Sequence, residues 1–166
     1  MSTKQVLVLC TGNSARSILG EVLFNELGAG RIKAFSAGST PIGAIHPGAL
    51  RLLRRKRFDV SQLRSKSWNE FAQPGAEPID IVITVCGNAA GEACPVLPGR
   101  AVRAHWGLAD PASVQGDEAA EDEAFERTYE LLRSRVAAFF ALPFETMDQD
   151  DLQRELSVIG AMEGAA

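Results

Sequence analysis

Two periods of apolar residues divide this chain. Val6-Leu7-Val8-Leu9 is an unbroken apolar run that ends at Cys10. Small and polar residues follow, Thr11-Gly12-Asn13-Ser14-Ala15, and then Arg16 and Ser17. Ile18, Leu19, Val22, Leu23 and Leu27 recur at helical spacing. The predicted order is a buried strand, a tight loop and an amphipathic helix. Gly28-Ala29-Gly30 breaks the helix. Arg31 to Ala37 reads as a second strand, less apolar and so placed at an edge. A loop through Gly38-Ser39-Thr40-Pro41 leads to a second helix begun near His46-Pro47, with Ala49, Leu50, Leu52 and Leu53 as its apolar positions. Ser67-Trp68-Asn69-Glu70 has the serine and glutamate of a capping box, which predicts a short helix. Ile79 to Val85 is β-branched and continuous, the best candidate for a central parallel strand, and it ends at Cys86. A Gly-, Ala- and Pro-rich loop runs from Gly87 to Arg100, and Ala101 to Trp106 reads as a fourth strand. Phe125, Tyr129, Leu132, Val136 and Phe139 mark a long helix closed before Pro143.

Strands alternating with helices imply an α/β fold, a parallel sheet covered on both faces. Ligands of such sheets bind at the carboxyl ends of the strands. Cys10, Cys86 and the segment carrying His105 and Asp110 all fall there. The expected organisation is one domain over residues 1–145 and a helical tail over 146–166. In the tail, Asp148 or Asp150 would cap a helix with Leu152, Leu156 and Ile159 on one face. That face would dock on the body or on a second subunit, and Gly164-Ala165-Ala166 would fray.

Composition narrows the function classes. The chain has 166 residues, 46% hydrophobic and 23% charged, as a soluble globular domain has. A net charge of −4 argues against nucleic acid as a partner but leaves room for a small anion held by a local field. No apolar stretch is long enough for a membrane span and no export signal is visible, so a cytoplasmic location is expected. Three cysteines in such a chain point to reactive thiols rather than a disulfide framework. His46 and His105 lack metal-ligand spacing, so no metal and no cofactor are expected. The basic run Arg51, Arg54, Arg55, Lys56, Arg57 reads as a solvated helix face.

The chemistry concentrates at Cys10 to Ser17. A loop between a strand and a helix aims backbone N–H groups and the helix N-terminus into one concavity, which favours a tetrahedral oxyanion. The same field and Arg16 favour a thiolate at Cys10. A thiolate beside a bound oxyanion is a nucleophile beside an electrophile. Asp110-Pro111 adds a carboxyl suited to protonating a leaving oxygen, although an aspartate opening a turn before proline is common. Cys86 and Cys94 flank the glycine-rich loop and suggest a thiol relay, or else two small buried hydrophobes.

Cys-x5-Arg-Ser with Gly12-Asn13 inside it resembles the anion loop of the low-molecular-weight tyrosine phosphatase family. Cys-Thr-Gly-Asn-Ser-Ala-Arg-Ser, Thr-Val-Cys-Gly-Asn-Ala, Cys-Pro-Val-Leu-Pro-Gly and His-Trp-Gly-Leu-Ala-Asp-Pro occur in the order of the thioredoxin-coupled arsenate reductases built on that fold, and the resemblance covers roughly residues 4–141. It implies a three-layer fold with four parallel strands in the order 2-1-3-4. Thr11, Gly12, Asn13, Ser14, Ala15, Ser17 and Arg16 would hold arsenate or phosphate. Cys10 would attack arsenic while Asp110 assists loss of water. Cys86 would then attack Cys10, and Cys94 would attack Cys86, leaving a disulfide for thioredoxin or another thiol reductant. Ser17 would hydrogen-bond Cys10. Some members bind potassium at residues of the Asn13, Glu21 and Ser36 type, with a threonine and an aspartate. This chain has Arg64-Ser65-Lys66 in the region of the last two, and the Lys66 ammonium is expected to replace the cation.

Departures from the phosphatases matter as well. Ala15 stands where they carry a second loop cysteine, and Ala112-Ser113-Val114 replaces the aromatic residues beside Asp-Pro, which disfavours an aryl substrate. Arsenate reduction is therefore the leading expectation. A phosphatase acting on phosphate monoesters or phosphotyrosine, and a non-catalytic oxyanion-binding module, are the alternatives.

Overall fold

Strands β1 (Lys4–Leu9), β2 (Ile32–Ala37), β3 (Ile81–Thr84) and β4 (Val102–His105) form a parallel sheet in the order β2-β1-β3-β4. The structure, a computed structural model, describes residues 3–86 and 100–165. Leu9 pairs with Ala37 and Thr84, and Thr84 with His105, so all four strands end level. The next residues, Cys10, Gly38 and Trp106, with Val85 and Cys86 on the third strand, emerge along one edge. β2 is an edge strand and β3 is central, as their apolar content predicts.

The continuous run of β1 is explained by burial on both sides. Val6 and Val8 join Ile81, Ile83 and Val102 in a large apolar cluster with Ile18, Leu19, Leu23 and Phe139. Leu7 and Leu9 point the other way, into a smaller cluster with Val82, Trp68 and Ile79. The first cluster is roofed by α1 (Arg16–Gly28) and α3 (Glu118–Phe140), which pack on each other. Phe24 of α1 stacks on Trp106 at 5.7 Å between ring centroids and meets Phe139 edge-on at 5.6 Å. On the second face, Ser67 accepts from the Asn69 N–H at 3.1 Å and starts a single 3-10 turn, Trp68–Phe71. The capping box is only half made, because Glu70 is drawn away to the Arg64 guanidinium at 2.9 Å.

α2 (Pro47–Arg55) lies across α3. Its basic side chains are not simply solvated. Arg51 reaches Glu121 at 2.7 Å and Asp122 at 2.9 Å, and Lys56 reaches Glu126 at 2.8 Å. Arg54 and Arg57 alone of that run lack such pairs among the described residues.

Asp148, one of the two candidate caps, accepts from the Asp151 N–H at 2.8 Å and starts α4 (Gln149–Gly160). Leu152, Leu156 and Ile159 enter the large cluster, so this helix docks on the body, against β4. A Cβ at Gly160 would stand 2.4 Å from the His105 carbonyl oxygen, so only glycine permits that approach. The expected fraying is corrected for Gly164 and Ala165. Ala165 pairs with Leu108 in an antiparallel bridge, and its N–H reaches the Met162 carbonyl at 3.2 Å. Ala166 lies outside the described residues. Among the described residues no helix is long and apolar enough to cross a membrane.

Candidate active site

The loop between β1 and α1 turns its carbonyls outward. The Thr11, Gly12 and Ser14 carbonyls accept from the N–H groups of Thr40, Ile42 and His46 at 3.0, 3.0 and 2.9 Å. A trans peptide sets each C=O opposite the next N–H. The N–H groups of Gly12, Asn13 and Ala15 therefore turn inward, and none has an acceptor among the described residues. Asn13 makes the reversal possible with φ of 45°, a left-handed conformation that asparagine tolerates better than most residues. No side chain caps α1 at Ala15, so its N-terminal dipole also opens into the loop. Gly38 seals the outer side, since a Cβ there would stand 2.4 Å from the Thr11 oxygen. The result is a cleft of about 380 Å³ lined by residues 10–16 with Thr40, Ile42, His46, Cys86, Asp110 and Ala112. A larger groove of about 760 Å³ runs along α3, but its described walls carry no cysteine.

Arg16 is the fixed cation of the cleft. Its Nη1 donates to the Leu108 carbonyl at 2.8 Å, and its Nη2 lies 3.9 Å from Asp110 Oδ2. Its Nε is buried with no partner among the described residues. A buried, unpaired guanidinium N–H in a concavity of inward N–H groups is what a bound oxyanion would satisfy. Asp110 Oδ1 accepts from the Ala112 N–H at 2.9 Å and opens a 3-10 turn, Pro111–Ser113. The carboxyl is thereby held with its other oxygen toward Arg16.

Cys10 and Cys86, both buried and neither in a disulfide, meet at the floor. Cys86 Sγ accepts from the Thr11 N–H at 3.3 Å and lies 3.6 Å from Thr11 Oγ1. A hydrogen bond with Cys86 and burial push the Cys10 thiol up, against the downward pull of Arg16 and the Thr11 N–H. The favouring of a thiolate at Cys10 by Arg16 and the loop is thus opposed by the neighbouring Cys86 sulfur and by burial. Two adjacent sulfurs cannot both ionise at low cost, and the Thr11 N–H is shared between them. The predicted Ser17 bond to Cys10 is not found among the described residues; buried Ser17 Oγ accepts from Asn13 Nδ2 at 2.8 Å.

Behind the loop sits a second polar layer. Asn13 Oδ1 accepts from the Lys66 N–H at 2.9 Å. Ser36 Oγ donates to Glu21 Oε1 at 2.5 Å, and Lys66 Nζ stands 3.7 Å from the same oxygen and 3.1 Å from the Arg64 carbonyl. Lys66 is only 8% exposed. Burial pushes its ammonium down, and Glu21 pulls it back up. The pairing Gly38 N–H to Lys66 carbonyl, 2.9 Å, brings the 64–67 segment from across the molecule. Asn13, Ser17, Glu21, Ser36 and Lys66 are therefore together, as are Cys10, Arg16, Cys86 and Asp110. Cys94 lies outside the described residues.

Sequence reasoning missed two contributors. Ser65 Oγ links the Gly12 carbonyl, 3.2 Å, to the Gly43 N–H, 3.1 Å, and nothing in its local sequence marks it. His46 caps α2, with Nδ1 accepting from Gly48 N–H at 3.0 Å, and also lines the cleft. His46-Pro47 reads as a helix start, which signals the cap but not the second location.

The family model described as low molecular weight phosphotyrosine protein phosphatase matches residues 5–156. An arsenate reductase of Bacillus licheniformis is 34% identical over 139 residues, 84% of this chain and 96% of that one. The crystal structure of an arsenate reductase from Archaeoglobus fulgidus is similar at a TM-score of 0.59 and 26% identity, covering 80% of this chain and 98% of that one. A thioredoxin-dependent arsenate reductase of Corynebacterium glutamicum is similar at 0.52 and 26%, covering 80% and 61%.

Proposed function

The chain belongs to the low molecular weight phosphotyrosine protein phosphatase family and is an arsenate reductase within it, and we propose that it passes two electrons to arsenate through Cys10, Cys86 and Cys94 in turn. The observation that carries this reading is the second sulfur on the anion loop, Cys86 Sγ at 3.3 Å from the Thr11 N–H. A phosphatase needs one thiol, whereas reduction of As(V) to As(III) needs two.

Arsenate enters as an oxyanion bound by the inward N–H groups and Arg16. Its negative charge offsets the positive field of the loop, and it displaces water from around Cys10. The Cys10 proton leaves to the arsenate, and Cys10 Sγ bonds to arsenic. One arsenic oxygen departs as water, with its proton supplied by Asp110. Cys86 then attacks Cys10 Sγ. The sulfur–arsenic bond breaks, its electron pair stays on arsenic, and arsenite leaves. Cys94 attacks Cys86, which restores Cys10 and leaves a Cys86–Cys94 disulfide. Each step needs the attacking sulfur as thiolate. Thioredoxin or another thiol reductant closes the cycle, and the cytoplasm, where thiols are kept reduced, suits it.

Lys66 serves this site as its internal cation. The ammonium lies where Asn13, Glu21 and Ser36 would otherwise face a monovalent ion, and Asn13 Oδ1 is already taken by the Lys66 N–H. Potassium therefore does not fit here as a resident ion. With Glu21 neutralised, Asn13 keeps both its bonds and its left-handed turn.

Turnover of arsenate and of a small aryl phosphate by single variants tests the reading. Cys10→Ser and Arg16→Ala should lose both activities. Cys86→Ser should lose arsenate reduction while still cleaving the phosphate ester. Arsenate reduction that survives Cys86→Ser would return the chain to a single-thiol mechanism.

A further inference from the structure

Arg135 is a fully buried cation that the chemistry above does not use. It has no carboxylate partner among the described residues. Its Nη1 donates to the carbonyls of Trp106 at 2.8 Å and Gly107 at 3.2 Å. Its Nη2 reaches the carbonyls of Met162 and Glu163, each at 3.5 Å, and its Nε has no partner among the described residues. Sequestering a guanidinium without a counter-charge is costly. Here that cost is offset only by backbone carbonyls, from two segments far apart in sequence.

Those segments are the start of the acid-bearing loop and the end of the chain. Residue 108 follows directly on the clamped carbonyls. The Leu108 N–H bonds the Val85 carbonyl at 3.1 Å, and its own carbonyl takes Arg16 Nη1 at 2.8 Å. Two residues on, Asp110 Oδ2 faces Arg16 Nη2 at 3.9 Å. The C-terminal segment is fastened along the same stretch. Trp106 Nε1 donates to the Leu156 carbonyl at 2.9 Å, and Ala165 bridges Leu108.

We propose that Arg135 is a positioning residue for the active site: with the C-terminal segment 162–165 it clamps the 106–108 backbone, so that the Leu108 carbonyl orients Arg16 and Asp110 is presented over the anion loop. The tail is then part of the machinery that sets the acid. Carbonyls held by a charged donor move less than carbonyls held by water, and a displacement of about 1 Å at a reacting group costs on the order of 10²-fold in rate.

This role rests on the reading of Asp110 as the general acid, and the test separates the two. Steady-state arsenate reduction is measured across pH for Arg135→Met, Arg135→Lys, Ala165→Pro and Asp110→Asn, and for Arg135→Met and Ala165→Pro each combined with Asp110→Asn. Asp110→Asn should lower kcat and flatten the alkaline limb of the profile. Arg135→Met should lower kcat about tenfold with KM changed less than about twofold, and flatten the same limb. In the Asp110→Asn background it should add less than about twofold, because the acid it positions is already gone. Arg135→Lys should recover part of the rate. Ala165→Pro, which removes the N–H that closes the tail, should repeat the pattern more weakly in a chain that keeps Arg135, and it carries the test if Arg135→Met does not fold. A silent Asp110→Asn defeats the general-acid reading, and this role with it. An effective Asp110→Asn beside Arg135→Met or Ala165→Pro variants that keep the wild-type alkaline limb, or whose losses multiply in the double variants, defeats the positioning role alone.

Discussion

At the scale of single residues, two sulfurs beside one loop compete for one negative charge. Cys86 Sγ accepts from the Thr11 N–H, and that neighbouring sulfur and burial push the Cys10 thiol up. The sign is testable. Removing Cys86 removes the largest upward influence, so alkylation of Cys10 in Cys86→Ala should reach half its maximal rate at a lower pH than in the wild type. An unchanged midpoint in rate-versus-pH alkylation would mean that the pair is not coupled. Lys66 gives a second prediction. Lys66→Met leaves the Glu21 carboxylate buried beside Ser36 without its cation and should cost about 1–3 kcal/mol in denaturant unfolding. Glu21→Gln in the same chain should restore most of that, and added potassium should not. Cys10 and Arg16 stood out from the Cys-x5-Arg spacing, whereas Asp110, in a common Asp-Pro turn, stood out only beside that loop and the family resemblance. The partner of Ser17 did not. It depends on the left-handed turn at Asn13, which swings Nδ2 onto Ser17 Oγ, and no local pattern encodes that swing.

Among elements, legibility followed burial. β1 and β3 are apolar on both faces and were evident from their runs. The level ends of the strands follow from parallel pairing, and with them the meeting of Cys10, Cys86 and the Asp110 loop. Less was visible where one polar group had a choice of partners. Glu70 chose Arg64 over the Ser67 N–H, and the basic face of α2 found the acidic start of α3. The contact that closes the anion loop from behind is Gly38 against Thr11. Gly38→Ala would drive a Cβ to 2.4 Å from the Thr11 oxygen. We expect a loss of about 1–3 kcal/mol in stability, together with weaker phosphate binding by calorimetry, because the atom displaced belongs to the loop itself. Full phosphate affinity in a destabilised Gly38→Ala chain would separate the two effects and show the loop to be rigid without this contact.

Across the whole molecule, the sheet brings together at one edge residues that are 75 positions apart in the chain, as the Thr11–Cys86 contact shows. α4 and the segment after it clasp the other end of the same edge through Trp106 and Leu108. The order of the strands was expected from the family resemblance, and the place of the cleft from the carboxyl ends of a parallel sheet. The clasp was not, since its key group, Arg135, looks in sequence like one more charge on an acidic and basic helix. Only the packed core shows that it points inward. In the proposed relay, one arsenate consumes two thiols and leaves them joined. The most direct test is peptide mapping by mass spectrometry after arsenate is added to the fully reduced protein with no external reductant. About one arsenite per chain should form, with Cys86 linked to Cys94 and Cys10 returned as a thiol. Arsenite formed while all three cysteines stay unbridged would contradict the relay.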